Sequence, residues 1–111
     1  MRSEQLLRTT YQAFNDRDEQ AALAGLHADV RWDDGKGHML AGKNAVAGHW
    51  REQWRQADTT IRIDSMEWRG PELMVSATLQ FNGPNGQRST RSIRNSVRFA
   101  DDLIASMEIR V

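Results

Sequence analysis

A chain of 111 residues has the length of one domain built on a single core (residues 1–111), and its 15 basic and 15 acidic side chains cancel. That balance argues against nucleic-acid binding, which draws on a basic excess to neutralise phosphates. The lack of cysteine rules out a disulfide framework and thiol chemistry. No apolar run approaches the roughly 20 residues of a membrane helix. The first residues enter an amphipathic pattern without an apolar leader, so a cytoplasmic domain with no membrane partner is expected.

In chain order, Ser3 can cap a first helix in which Leu7, Tyr11 and Phe14 recur at helical spacing. Asp18 can cap a second, shorter helix from about Glu19 to Leu26, with His27 at its end. The stretch Val30-Arg31-Trp32-Asp33-Asp34 reads as a short strand, and alternation puts Val30, Trp32 and Asp34 on one face and Arg31 and Asp33 on the other. Gly35 to His38 is loop, and Asn44 can cap a third helix to about Gln56, carrying the stripe Val46, Trp50, Trp54.

From Thr59 the period changes to two. Thr59 to Trp68 carries Ile61 and Ile63 on one face and Arg62 and Asp64 on the other. Leu73 to Phe81 alternates cleanly, and Gln87 to Phe99 sets Arg91, Ile93, Asn95 and Val97 on its apolar face. Leu103, Ala105, Met107, Ile109 and Val111 share a side of the last strand. Turns at Arg69 to Glu72 and Asn82 to Gly86 separate these strands. The order predicts an α+β fold, with helices covering one face of a curved antiparallel sheet. With that register, Met66, Trp68 and Met74 face away from the helices beside Arg62, Arg94 and Arg98, and such an apolar patch predicts a homodimer through the sheet.

Asp34 stands out because a carboxylate at the end of an apolar strand face is unusual. At the mouth of an apolar cavity its charged form is destabilised, which raises its pKa above about 3.9 and makes it a usable proton acceptor. The plainer reading is that Asp34 caps the following loop. Asn95, between Ile93 and Val97, needs either neighbouring backbone or a ligand to satisfy its amide. Arg91 either pairs with Asp34 or a substrate anion, or extends to solvent at the rim. His38 either gates the pocket or is a solvated loop residue; Tyr11 either offers its hydroxyl to the pocket or packs in the core with a wet tip. His27 and His49 are read as partly exposed helix residues, and the spacing of the three histidines matches no metal-ligand motif.

Four motifs in order, Tyr11-Gln12-Ala13-Phe14-Asn15, Leu26 to Asp34, Gly42-Lys43-Asn44-Ala45-Val46 and Ser106-Met107-Glu108-Ile109, resemble the nuclear-transport-factor-2-like superfamily. Within it the chain is similar to the SnoaL-like and ketosteroid-isomerase-like branch. The resemblance implies a cone-shaped, cystatin-like fold with the sheet wrapped around three N-terminal helices, and pairing of two copies sheet to sheet. It also implies a strand-end aspartate as base, with a tyrosine and a protonated aspartate holding the enolate. Asp34 falls at the base position after a one-residue gap, and Asn95 falls where the protonated aspartate would be. Thr10 fills the tyrosine position, with Tyr11 one residue along and about 100° round the helix. The expected function is proton transfer on a small hydrophobic carbonyl compound (isomerisation, cyclisation or dehydration) with Asp34 and Asn95 as catalytic residues and no cofactor. Tyr11, Trp32, His38, Trp50 and Arg91 are the candidate ligand contacts, and no metal ligand is expected. The alternative is a non-catalytic small-molecule binder or dimeric scaffold of the same fold.

Overall fold

The computed structural model describes residues 2–110, so the inward placement expected for Val111 lies outside the described residues. The elements run α1 (Arg2–Asn15), α2 (Glu19–Ala24), β1 (Leu26–Asp33), β2 (Met39–Ala41), α3 (Lys43–Gln56), β3 (Asp58–Arg69), β4 (Glu72–Asn82), β5 (Arg88–Ala100) and β6 (Leu103–Arg110). Among the described residues, no helix is long and apolar enough to cross a membrane.

The helices follow from their caps and apolar spacing. α1 buries Leu7, Tyr11 and Phe14 together with Thr10 and Ala13. It already includes Arg2, so Ser3 lies inside the helix and does not cap it. Asp18 does cap α2, accepting from the Ala21 amide at 3.1 Å. α2 stops at Ala24 because the chain must pass close to α1: a Cβ on Gly25 would sit 2.1 Å from Thr10 Oγ1. His27 therefore belongs to β1, not to a helix. α3 starts two residues earlier than an Asn44 cap would place it, with Gly42 at φ 88° as its N-cap. β2, three residues long, is an element the sequence reading does not contain.

The six strands form one sheet in the order β2-β1-β6-β5-β4-β3. It is mixed, not purely antiparallel, since β1 and β6 run parallel while every other pair is antiparallel. The helices pack on one face. α3 follows β1 and β2, so two helices precede the sheet and the third is inserted into it.

Two bulges reset the alternation. In β3 Ile63 pairs with Ala77 but Ser65 with Ser76, so Asp64 is the extra residue. Beyond it Met66 and Trp68 pair with Val75 and Leu73 and pack against the core, which corrects the expectation that they face away from the helices. Only Met74 of the anticipated patch stays on the outer face, where it pairs with Glu67 and Ser96. In β6 Ser106 pairs with Arg98 and Ile104 with Phe99, so Ala105 is the extra residue and Ile104, not Leu103 or Ala105, is fully buried.

The core joins Leu7, Leu26, Val30, Val46, Leu73, Val75, Val97 and Ile104. An aromatic cluster closes it toward α3: Trp50 meets Trp32 edge-on at 5.4 Å and Phe14 at 5.9 Å, and Trp54 lies 5.4 Å from Phe14.

Candidate functional site

A cavity of about 80 Å³ lies between α1, α3 and the inner face of the sheet. Its wall is mostly apolar, with Phe14, Trp32, Trp50, Leu79, Ile93 and Met107, and a few polar groups break it. Tyr11 and Asn95 form one polar spot; Asp33, Asp34, His49 and Gln53 form the rest, with Thr10 beside Tyr11.

Asp34 follows directly on β1, so the strand delivers it to the cavity as alternation from Val30 and Trp32 predicts. It also caps the loop. Its amide donates to the His38 carbonyl at 3.0 Å, and its Oδ1 accepts from the Lys36 and His38 amides at 2.7 and 3.1 Å. Oδ2 stands 3.3 Å from His38 Nδ1. The two readings of Asp34 are therefore compatible. The Lys36 amide, and after it the His38 amide and imidazole, hold the carboxyl below its ordinary range against the opposing pull of burial. This corrects the expectation of a raised pKa: backbone donors outweigh desolvation.

Asp33 is not a solvated partner on the far face. Its Oδ2 accepts from the Ile109 amide at 3.0 Å and its Oδ1 from the Gly35 amide at 2.8 Å. It thus extends the β1–β6 ladder with a side chain just where the strands stop pairing at Trp32 and Met107.

Asn95 is 2% exposed and donates through Nδ2 to Tyr11 Oη at 3.0 Å, while its Oδ1 is buried without a partner. Burial pushes the Tyr11 hydroxyl up to about 12, only partly offset by that hydrogen bond, so it stays protonated at neutral pH. Turned end for end, the amide would accept the Tyr11 proton and bring Nδ2 into the orphaned position. In either orientation the pair keeps one donor for a ligand oxygen. Thr10 packs toward Gly25, and it is Tyr11 whose hydroxyl reaches Asn95.

Of the remaining expected contacts, Trp32 and Trp50 line the cavity. His38 touches Asp34 but its side chain is 77% exposed on the outer side of the loop. Arg91 lies exposed opposite Leu79 and outside the cavity wall. The sequence reading assigned no role to His49. It is half-buried on α3, lines the cavity, and has no hydrogen-bond partner among the described residues. Burial pushes its pKa down, Asp34 pulls it up and Lys36 adds to the fall. Its signal was present: His49 and Gln53 repeat at i and i+4, one step behind Trp50 and Trp54. Among the described residues, no three metal-ligating side chains cluster closely enough to hold an ion.

Residues 7–107 match the family model described as the SnoaL-like domain. No curated protein matches the chain. Among solved structures, an NTF2-like protein of unknown function from Burkholderia pseudomallei is 25% identical with a TM-score of 0.85, over 99% of this chain and 90% of that one. A polyketide-cyclase candidate from Xanthomonas campestris pv. campestris is 22% identical with a TM-score of 0.88, over 97% and 88%. The Δ5-3-ketosteroid isomerase from Mycobacterium sp. is 16% identical with a TM-score of 0.85, over 99% and 92%. For the last two, identity this low makes the likeness one of fold.

Proposed function

The chain belongs to the SnoaL-like domain family, and on that premise we propose that its cavity takes up a small hydrophobic carbonyl compound and moves a proton on it. One observation carries the reading: an ionised carboxylate and a protonated hydroxyl–amide pair line the same apolar cavity. Asp34 draws the proton from the carbon next to the carbonyl. The C–H electron pair becomes the new C–C π bond, and the carbonyl π pair moves onto oxygen. The Tyr11–Asn95 pair donates to that oxygen as its charge grows. Isomerisation, cyclisation and dehydration all share this first step, and the fold hosts a ketosteroid isomerase and a polyketide-cyclase candidate. Trp32 and Trp50 supply flat apolar walls for the ligand, and two copies pair through the outer face of the sheet.

The test uses 2-tetralone, a small ketone with acidic α-protons, in deuterated buffer. Quenching of tryptophan fluorescence reports binding, and NMR reports α-proton exchange. The native protein is expected to bind it and to accelerate exchange; Asp34→Asn should keep the binding and lose the exchange. Binding without exchange in the native protein would favour the second reading, a non-catalytic binder. That reading draws on the two amide donors already engaging Asp34 and on the His38 ring beside it, which weaken it as a base.

A further inference from the structure

We infer that His49 and Gln53, one turn apart on α3, form a second polar contact of the cavity, and that its ligand carries a second, uncharged oxygen set against them. The inference rests on the uptake half of the reading above and adds the chemical class of the compound: a hydrophobic ketone with a further hydroxyl or carbonyl at a separate point. It holds whether or not a proton is moved.

Two polar spots of this cavity come from different walls. Tyr11 of α1 and Asn95 of β5 make the first and are bonded to each other. His49 and Gln53 of α3 make the second, and both are half-buried in the cavity wall. Four residues apart, they lie on one face of the helix. The neighbouring polar side chains of α3 are exposed, yet each has found a protein partner. Arg51 is bound to Glu19 of α2, Arg55 to Glu52, and Gln56 Nε2 donates to Glu52 at 2.9 Å. Pairing stops at the two that line the cavity: the side chains of His49 and Gln53 have no hydrogen bond or ion pair among the described residues.

Their chemistry states what they can hold. A carboxamide offers two donors and an acceptor oxygen, and a neutral imidazole one donor and one acceptor. Burial lowers the His49 pKa from its ordinary 6.5, so the ring is neutral at pH 7. Together they can donate to a carbonyl oxygen, or both donate to and accept from a hydroxyl. An anionic ligand group would meet the Asp33 and Asp34 carboxylates in the same wall, so the oxygen is an uncharged one. A hydrocarbon edge set against the pair strips its water and returns nothing, whereas an oxygen there replaces the lost hydrogen bonds. Such a site discriminates by penalising the analogue that lacks the group.

The test compares 2-tetralone with its 6-hydroxy and 7-hydroxy derivatives, which carry a phenolic hydroxyl at the end of the molecule away from the ketone. Binding is followed at pH 7 by NMR through the tryptophan indole N–H signals, whose dispersion also reports folding. In the native protein one derivative is expected to bind roughly fivefold more tightly than 2-tetralone. The quantity read is the ratio of the two dissociation constants, in which a general loss of packing cancels. That ratio should fall toward one in the double variant Gln53→Met, His49→Phe, and part of the way in the single variants. With 2-tetralone bound, native ratios of one or below for both derivatives would overturn the inference and leave the uptake reading standing. A native advantage that survives intact in both single variants would overturn it as well. Failure of the native protein to bind any of the three compounds would overturn the uptake reading itself, and this inference with it.

Discussion

Asn95 shows what a buried polar residue costs at the scale of a single side chain. It is buried on β5 with one amide end on Tyr11 and its Oδ1 orphaned. An unsatisfied buried acceptor typically costs about 1–3 kcal/mol, and stability alone would replace it with a residue of similar shape and no polarity. Asn95→Leu is therefore expected to hold or raise the urea midpoint, even though it leaves the Tyr11 hydroxyl without its amide. If the pair serves the ligand oxygen, the same variant should slow 2-tetralone exchange, by roughly 10²-fold. Unchanged exchange in a stably folded Asn95→Leu would show that the oxygen is held elsewhere. Asn95 and Asp34 were legible in the sequence because each is a polar residue at a position that alternation assigns to an apolar face. Their hydrogen bonds were not, since the Tyr11–Asn95 contact joins residues 84 apart.

At the scale of elements, the same alternation is a local rule that a bulge cancels. Strand boundaries and inward residues were readable in β4, where Leu73, Val75 and Ala77 are all buried and no bulge intervenes. In β3 the extra residue Asp64 inverted the faces beyond it, and in β6 the extra residue Ala105 inverted the faces before it. Neither residue type announces a bulge. The edge strand β3 adds a second feature hidden from local reading. The Asn15 side chain pairs with both the amide and the carbonyl of Ile61 at 2.8 Å, and Arg17 donates to the Thr59 carbonyl at 2.7 Å. These side chains occupy backbone groups that would otherwise invite another strand. α3, by contrast, was legible from its stripe: Val46 and Trp50 are buried and Trp54 is half-buried against Phe14. Trp50 touches Phe14, Trp32 and Trp54. Trp50→Ala should therefore cost roughly 3–5 kcal/mol, as for large aromatics removed from a core. A denaturant midpoint close to native would mean that α3 contributes little to the packing.

For the whole molecule, the proposed pairing of two copies rests on the outer face of the sheet. The described residues expose 6698 Å², more than the roughly 6,200 Å² typical of a compact monomer of 12.7 kDa. The bulge in β3 turned Met66 and Trp68 inward, so the face is not the apolar patch that first suggested a dimer. It is built instead from hydroxyls and charges. Glu72 gathers Ser96, Arg98 and Arg110 at one end, and Arg62, Asp64 and Thr78 form a cluster across β3 and β4. Arg94 pairs across strands with Arg110, a like-charge neighbour, and has no ion pair among the described residues. A second copy related by a two-fold axis would bring its own carboxylates to such a face, and an isologous pairing closes without leaving either sheet open. Sedimentation at micromolar concentration should thus report about twice the chain mass at low salt. A pairing carried by charged contacts would be weakened by added salt, and Arg94→Glu should shift the species toward monomer. A single-chain mass at low salt in the native protein would rule out the pairing and leave the cavity to work within one copy.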